Sequence, residues 1–597
     1  MGPHYLVRTL KPEEHRAQFL LEVDPAGDGP IDLVLPSWVP GSYSIRPTAR
    51  AVGGLKASAR PSGTPLSVER VDKGRWRILP AGAPSVRVEY EVYGHDTGTG
   101  SFDVTAEHLF LNAAVCLPYV DGRKDVPHEV SLLLPAGWKI FTELEEVELQ
   151  PPTFRAASYD ELVDTPIDCG TPEVLVTTPR GVPHRIALCG KGGNYEAHRL
   201  ETDLSKLVEA TARLFGTLPM SRYTFFVHLT EQRGGGLEHK TSTSLVVPRW
   251  MFRPESEYQN FLVLASHEYF HLFNVKRIRP KVLGPFDYTK ENYTSLLWAM
   301  EGTTDYYAPL LVRRAGLLTP PKYLERLASR VRLYLDVPGR RASSLEEASW
   351  TTWISFYQPF EDSLNETVSY YLKGGLVSWC LDLALRHGTE NRSSLDDVYR
   401  TLWNEFGAKE VGLGEEEFFP VVQRVSGLDL DDFYRRYIRG TEEIDLAAFA
   451  RYAGLKLAPK ERSPDAEDDP EPGYLGIDTE SANGMIRVRA VRDGTPARRA
   501  GLSPGDEIVA FDGVRVTFDQ LGATLKRFPA GSEIDLALFR RGYLTHVKIT
   551  TGTGLAEKYE LVPVEEPTPL ERKIYESWLE APWTPPKAKP PSETPKA

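Results

Sequence analysis

The chain has 597 residues, which is too long for a single hydrophobic core and predicts about four domains. A hydrophobic fraction of 41% and a charged fraction of 26% are ordinary for a globular protein. The net charge of −13 argues against a nucleic acid or an acidic membrane surface as a partner, because phosphate binding needs a basic protein surface.

The sequence gives no sign of export or of a membrane anchor. Its start, MGPHYLVRTL, lacks the apolar core of a signal peptide, and no apolar run reaches the roughly 18 residues that cross a bilayer. The cysteines Cys116, Cys169, Cys189 and Cys380 lie far apart, so their spacing predicts neither a disulfide framework nor a thiolate metal site. We therefore expect a cytoplasmic protein.

Residues 1–175 predict a β-rich domain. In SVRVEYEVYG, Val86, Val88, Tyr90 and Val92 alternate with polar residues, which is the period of a half-buried strand. Similar runs, IDLVLPSWVPGSY and EVSLLLPAGW, are closed by Pro and Gly. Short strands that are followed by Pro and Gly are typical of a sandwich-like domain.

The next 280 or so residues combine strands with helices. ETDLSKLVEATARLFG predicts an amphipathic helix with Asp203 as its N-cap, and SRYTFFVHL predicts a buried strand. A glycine-rich turn, EQRGGGLEHKTSTSLVVP, leads into another strand and then into the apolar helix FLVLASHEYFHLF. From residue 291 to about 455 the sequence is mostly helical in pattern.

The motif SHEYFH predicts a metal site on that apolar helix. His267 and His271 are four residues apart, so both imidazoles lie on one helical face and can bind one ion. Glu268 projects beside the metal, where a base can take a proton from water that the metal activates. The alternative is a chance motif on a core helix, but two buried imidazoles need partners and a metal supplies one.

Two carboxylates downstream complete the predicted site. Glu301 follows Trp298, Ala299 and Met300, a poor setting for a solvated acid, and we expect it to be the third metal ligand. Asp305 lies one turn later on the same face, where it can accept the outer N–H of a metal-bound histidine. The alternative for Glu301 is an ordinary exposed helical carboxylate.

The motifs together resemble those of a known family. H-E-x-x-H followed by W-x-x-E-G is similar to the gluzincin metallopeptidases, whose catalytic fold is thermolysin-like. GGGLEH resembles the G-x-M-E-N motif of zinc aminopeptidases, and YYLKGG resembles their Y-x-K-G segment. With PSWVPGSYSIR in the first domain, the whole chain resembles the glycyl aminopeptidase family. It departs from better-known aminopeptidases at Leu237 (Met), at His239 (Asn) and in a longer gap before Glu301.

The resemblance implies a mechanism and a substrate class. It implies one Zn²⁺ per chain, Glu268 as general base, and Tyr371 as the tyrosine that stabilises the transition state. Glu238 would bind the free amine of a peptide substrate, while Gly235 and Gly236 would let the substrate backbone approach the edge strand. The family's preference for small N-terminal residues implies Gly or Ala at that position.

The C-terminal region resembles a PDZ domain attached to a protease. GYLGIDTE matches the carboxylate-binding loop of such domains through Leu475, Gly476 and Ile477, and GLSPGDEI supplies a turn between a short helix and a strand. The module either captures a peptide or protein ligand or only packs on the catalytic unit.

The sequence thus predicts a multidomain α+β enzyme. Its expected parts are a β-rich N-terminal domain (1–175), a thermolysin-like catalytic domain (176–310), a helical domain that completes the active site (311–457), an acidic Pro-rich linker (458–472), a PDZ domain (473–555) and a tail (556–597) with a disordered end. The leading hypothesis is a zinc aminopeptidase. The alternatives are a PDZ-guided zinc endopeptidase and a non-catalytic PDZ adaptor on a peptidase fold.

Overall fold

The computed structural model describes residues 2–27, 29–231, 234–460, 471–556 and 558–585. The chain forms two units. One comprises Met1–Thr294, Tyr307–Leu318 and Val398–Val421, and the other comprises Ser295–Tyr306, Thr319–Asp397 and Val422–Ala597. Most of the predicted acidic linker and the Pro/Lys end of the tail lie outside the described residues.

The N-terminal part of the first unit is β-rich, as predicted. Its elements are β1 (His4–Lys11), β2 (Arg16–Val23), β3 (Ile31–Val34), β4 (Val52–Arg60), β5 (Pro65–Leu66), β6 (Val68–Arg70), β7 (Arg75–Ile78), β8 (Ser85–Tyr93), β9 (Phe102–Val104), β10 (His108–Leu111), α1 (Ala113–Cys116), β11 (Tyr119–Val120), β12 (His128–Leu133), β13 (Lys139–Phe141), β14 (Glu145–Leu149), β15 (Pro152–Ala156), α2 (Tyr159–Val163) and β16 (Ile167–Gly170). The strands form three sheets, ordered β14-β15-β12-β1-β2-β8-β4-β5, β13-β16-β10-β9 and β11-β3-β7-β6. In β8, Val86, Val88, Tyr90 and Val92 face the core, which confirms the predicted alternation.

A second sheet region of the same unit carries the metal motif. Its elements are β17 (Glu173–Thr177), β18 (His184–Cys189), α3 (Ala197–Phe215), β19 (Tyr223–Thr230), β20 (Gly235–Glu238), β21 (Ser242–Pro248) and α4 (Glu255–Phe270). The sheet order is β17-β18-β19-β21-β20; β18, β19 and β21 are parallel neighbours, and β20 is an antiparallel edge strand. The GGGLEH segment therefore lies on a sheet edge, as expected.

The predicted N-cap of α3 is wrong. The helix begins at Ala197, so Asp203 lies inside it, where its carboxylate pairs with Arg199 and Lys206 and accepts a hydrogen bond from Tyr258. The carboxylate is satisfied by side chains rather than by the backbone N–H groups of a helix start.

The helical stretch is confirmed. Its helices are α5 (Thr303–Arg314), α6 (Pro320–Leu335), α7 (Leu345–Trp350), α8 (Ser363–Glu366), α9 (Tyr370–Gly388), α10 (Leu395–Glu405), α11 (Phe418–Ser426), α12 (Asp431–Tyr437) and α13 (Leu446–Arg451). A π-helical turn, Trp298–Gly302, precedes α5. In the second unit this turn packs closely on α9, since a Cβ on Gly302 would lie 2.6 Å from Gly374 Cα. The glycine of the Y-x-K-G segment thus allows backbone-to-backbone contact.

The PDZ module has its own core within the second unit. The C-terminal elements are β22 (Leu455–Pro459), β23 (Ile477–Ala482), β24 (Met485–Val491), α14 (Pro496–Ala500), β25 (Glu507–Phe511), β26 (Val514–Arg515), α15 (Leu521–Leu525), β27 (Glu533–Arg540), β28 (Tyr543–Thr550), β29 (Tyr559–Pro563) and α16 (Pro569–Leu579). The module's sheet runs β23-β24-β25-β27-β28.

Part of the tail is ordered, which the sequence did not predict. After the PDZ module, β29 pairs with β22, so the chain returns to the strand that it left before the linker. Helix α16 then packs on α9, and the buried indole of Trp578 donates a hydrogen bond to Tyr306 Oη at 2.9 Å. The tail therefore contributes to the core of the second unit.

In the described parts of the chain, no helix combines the length and apolar character that crossing a bilayer requires. All four cysteines are buried and unbridged.

Candidate active site

The two histidines of the motif face each other at the end of α4. The helix ends at Phe270, but His271 keeps αR backbone angles. The four-residue spacing therefore still places both imidazoles on one face. Their Nε2 atoms are 3.0 Å apart, and the rings are nearly perpendicular. His271 Nδ1 lies 2.9 Å from the carbonyl oxygen of Asn274. Because a carbonyl oxygen only accepts, Nδ1 carries the proton and the Nε2 lone pair faces His267.

This pair fits a zinc ion. Two imidazole nitrogens bound to one tetrahedral zinc are about 3.3 Å apart, given Zn–N bonds of roughly 2.0–2.1 Å. The distance found, 3.0 Å, is within a few tenths of that value. The bond from His271 Nδ1 to a backbone carbonyl is also the usual outer partner of a metal-bound histidine, because it fixes the tautomer and the ring orientation.

Glu268 lies beside the histidine pair under the edge strand. It is 5% exposed, and a ligand atom from each of Glu238, Glu268 and His271 lies within 4.8 Å of the others. A Cβ on Gly236 would lie 2.2 Å from Glu268 Oε1, so only glycine lets β20 pass this close to the carboxylate. Gly235 has no neighbouring atom within 4 Å of a Cβ position and faces open space.

Glu238 is held under a loop of the N-terminal domain. A Cβ on Gly41, in PSWVPGSYS, would lie 2.8 and 2.9 Å from the two carboxylate oxygens of Glu238, and Gly41 has φ +89°. The loop is fixed by the indole of Trp38, which donates to Asp287 O at 2.9 Å, and by Ser37 N, which donates to Tyr288 O at 2.8 Å. The sequence pattern places this loop in the β-rich domain and indicates no role for it. The available signal is a glycine that lies between the aromatic residues Trp38 and Tyr43 in the sequence.

His239, which departs from the aminopeptidase motif, pairs with an acid of the N-terminal domain. Its Nδ1 lies 3.6 Å from Asp164 Oδ1, and the same carboxylate binds Lys276 Nζ at 2.5 Å and Lys240 N at 3.0 Å. Burial raises the pKa of Asp164, but Lys276 and His239 outweigh burial and hold that pKa at about 2. Asp164 therefore stays charged and anchors the end of the GGGLEH segment.

The second unit holds the other predicted residues. Glu301 lies in the π-helical turn Trp298–Gly302 and is 2% exposed. Tyr371, at the start of α9, is half-buried and its ring stacks on Phe356 at 5.4 Å, while Tyr370 beside it is fully buried. Burial first, and then the charges of Tyr357 and Glu301, raise the pKa of Tyr370 well above its ordinary value.

Asp305 has a partner that the sequence did not suggest. Arg330 of α6 donates a hydrogen bond to the Asp305 carboxylate, and the same guanidinium lies 3.4 Å from Tyr371 O. Arg330 thus links the turn that follows Glu301 to the first residues of α9 within the second unit.

Three segments of the chain match models of known protein families. The profile described as M61 glycyl aminopeptidase matches residues 260–377, its N-terminal domain profile matches 4–171, and a PDZ profile matches 473–551. The first range contains the metal motif, Glu301 and Tyr371. The catalytic segment and the N-terminal domain thus both match models of the M61 glycyl aminopeptidase family. The chain is an enzyme of the zinc aminopeptidase class, and the resemblance seen in the sequence is confirmed.

Solved structures extend the likeness to nearly the whole chain. An aminopeptidase N family protein from Idiomarina loihiensis is 29% identical, covers 97% of this chain and 100% of its own, and has a TM-score of 0.89. An M1 zinc metallopeptidase from Deinococcus radiodurans is 16% identical over 74% of this chain and 95% of its own, with a TM-score of 0.45, which is too low to add to the argument. A search of curated proteins finds no match.

Proposed function

We propose that this protein removes small residues, Gly or Ala, from peptides with a free N-terminus. It would use one zinc ion per chain, held by His267, His271 and Glu301. The observation that carries the proposal is the histidine pair, with Nε2 atoms 3.0 Å apart, beside the buried carboxylates Glu268 and Glu238. An exopeptidase needs a general base and an acid that binds the substrate amine beside its metal site, and Glu268 and Glu238 suit these two roles.

Glu301 as third ligand is supported from each unit separately. In the first unit, the ring of Phe270, the last residue of α4, stacks on that of Tyr307 with centroids 4.8 Å apart. Tyr307 follows Glu301 by only six residues. In the second unit, Glu301 is almost fully buried in a π-helical turn, a feature that occurs often at functional sites. A buried carboxylate needs a cation or strong donors, and zinc supplies the charge.

The bound zinc would supply Lewis-acid chemistry, polarising the scissile carbonyl and lowering the pKa of water. Glu268 accepts the proton of the attacking water and later passes it to the leaving amine, which is the work of one general acid–base group. Glu268 lies under β20, where the missing side chain of Gly236 leaves room for its carboxylate. The carboxylate is therefore within reach of a substrate that lies along the edge strand.

Glu238 binds the protonated amine of the substrate. Glu238 as a whole residue is 5% exposed, and burial strengthens the attraction between a carboxylate and an ammonium group. Gly235, with open space around its Cβ position, leaves room for the substrate backbone next to the strand. This arrangement fixes the distance from the N-terminus to the scissile bond, so one residue is released.

Tyr371 donates a hydrogen bond to the oxyanion that forms during hydrolysis. Stacking on Phe356 and the link from Arg330 to its backbone oxygen hold the start of α9 in place. Asp305, as an outer partner of a metal-bound histidine, stays a prediction, and Arg330 would orient its carboxylate.

We further propose that the PDZ module binds the C-terminal carboxylate of a peptide at Leu475, Gly476 and Ile477. Strand β23 ends the module's sheet, so among the described residues its outer edge has no paired strand and can accept a peptide strand. Gly476 has φ +84°, and a Cβ there would lie 2.2 Å from Thr495 Cβ, so the loop requires glycine.

The test of the proposed function is hydrolysis of glycyl, alanyl and leucyl 4-nitroanilides, with N-acetylated forms as controls. Protein stripped with a chelator should lose turnover and regain it when zinc is added back. Glycyl and alanyl substrates should be cleaved faster than the leucyl one, and the acetylated forms should be inert. Cleavage of acetylated substrates at a comparable rate would indicate an endopeptidase instead.

A further inference from the structure

A second group of metal-binding side chains lies in the first unit, apart from the proposed zinc site. His108, Asp168, Cys189 and His228 each offer a ligand atom, and these atoms lie within 4.8 Å of one another. Asp168 lies at the centre, with His228 Nε2 at 2.7 Å, His108 Nε2 at 3.0 Å and Cys189 Sγ at 3.4 Å from its two oxygens.

The cluster joins two sheets. Asp168 on β16 and His108 on the neighbouring β10 belong to the N-terminal β domain. Cys189 on β18 and His228 on β19 are direct partners in the parallel register of the second sheet. Phe225 of β19 stacks on Tyr269 of α4, so His228, three residues later, points to the opposite face of that sheet. The sheet that contains β18 and β19 therefore lies between this cluster and α4, the helix of the HExxH motif.

We propose that His108, Asp168, Cys189 and His228 form a second zinc site that fastens the N-terminal β domain to the catalytic sheet. Two imidazoles, one thiolate and one carboxylate make four donors, which is the number in a closed structural zinc site. Two neutral histidines, one thiolate and one carboxylate also balance the 2+ charge of the ion, so the four donors and the ion together carry no net charge.

The burial of the donors and their access both fit such a site. Asp168, Cys189 and His228 are buried, and the His108 side chain is 21% exposed. His108, Cys189 and His228 line a cavity of about 420 Å³, which gives an ion a path to the donors. The cysteine spacing predicted no thiolate metal site, because the other ligands come from distant strands rather than from a neighbouring cysteine.

Cobalt substitution tests this proposal independently of activity. The proposed catalytic site offers two imidazoles and a carboxylate and has no sulfur donor. A thiolate-to-cobalt charge-transfer band in the near ultraviolet therefore reports only on Cys189. The full-length protein, stripped and titrated with Co²⁺, should bind two equivalents and develop this band.

Two matched variants complete the experiment. Cys189→Ser should abolish the band and bind one equivalent, whereas Cys380→Ser, the same change at a buried cysteine of the second unit, should keep both. Wild-type protein that saturates at one equivalent without a charge-transfer band would overturn the proposal. His267→Ala distinguishes the two sites, because it should lose turnover and one equivalent of cobalt but keep the band.

Discussion

Gly236 and Glu268 are packed so closely that a Cβ at position 236 would fall 2.2 Å from the carboxylate oxygen Oε1 of Glu268. The edge strand that carries Glu238, the proposed amine-binding acid, therefore also confines Glu268, the proposed general base. This contact makes the position of the base depend on a residue with no chemistry of its own.

Gly236→Ala should displace the Glu268 carboxylate and lower kcat/KM by roughly 100-fold, because a shift of about 1 Å in a catalytic group has an effect of that order. The matched control is Gly234→Ala, where a Cβ would meet nothing within 4 Å. Steady-state kinetics on a glycyl substrate measures both variants. Equal activities of the two alanine variants would show that the contact does not position the base.

Glu268→Gln should keep the metal and lose turnover, by roughly 100- to 10,000-fold, since general acid–base catalysis contributes about that much. Glu257→Gln, on an exposed position of the same helix, is the control and should be unaffected. Zinc content is measured beside the kinetics. Turnover close to the wild-type rate in Glu268→Gln would rule out this mechanism.

Glu238→Gln should weaken the binding of substrates that carry a free amine. A hydrogen bond between charged groups contributes about 1.5–3 kcal/mol, which corresponds to roughly 10- to 100-fold in kcat/KM. The comparison is between a glycyl peptide and a des-amino analogue of the same length. If both substrates lose rate by the same factor, Glu238 does not bind the amine.

Lys373 gives a pH-dependent contribution to stability. Its side chain is fully buried on α9, and burial, only partly offset by Glu443, lowers its pKa from 10.5 to about 8. Between pH 8 and 10.5 the unfolded chain holds a proton that the folded chain has lost, so this residue makes folding more favourable as pH rises through that window.

Lys373→Met should abolish that rise, because a buried thioether carries no proton. The free energy of unfolding in urea, measured at pH 7.5 and pH 10, should increase more for the wild type than for Lys373→Met. Lys322→Met, an exposed position on α6, should behave like the wild type. A wild-type difference no larger than that of Lys373→Met would show that the lysine is charged in the folded protein.

The part of the site that could be predicted from the sequence depends on residues that are close together in the chain. The i, i+4 relation of His267 and His271 follows from helical periodicity, whereas the edge-strand setting of Glu238 is implied by the resemblance to zinc aminopeptidases. The contacts that sequence analysis missed join distant segments or use backbone atoms. Two such contacts, from Arg330 to Asp305 and from the carbonyl of Asn274 to His271, cannot be recognised in the motifs. The contact of Gly41 with Glu238 joins two segments that are almost 200 residues apart, so the glycine alone does not reveal its partner.

In the fold, too, local patterns could be predicted from the sequence and contacts between distant segments could not. Alternation in β8 predicted a strand, but nothing in the tail distinguished β29 and α16 from a flexible end, because their partners β22 and α9 lie far away in the chain. The cluster around Asp168 was hidden for the same reason, since its four residues come from four strands.

Zinc-edge anomalous diffraction from crystals of the zinc-loaded protein tests the central proposal most directly. We expect an anomalous peak about 2.0–2.2 Å from Nε2 of His267, Nε2 of His271 and a carboxylate oxygen of Glu301. Loaded crystals with no peak between the two imidazoles, or with a peak there that Glu301 does not reach, would contradict it.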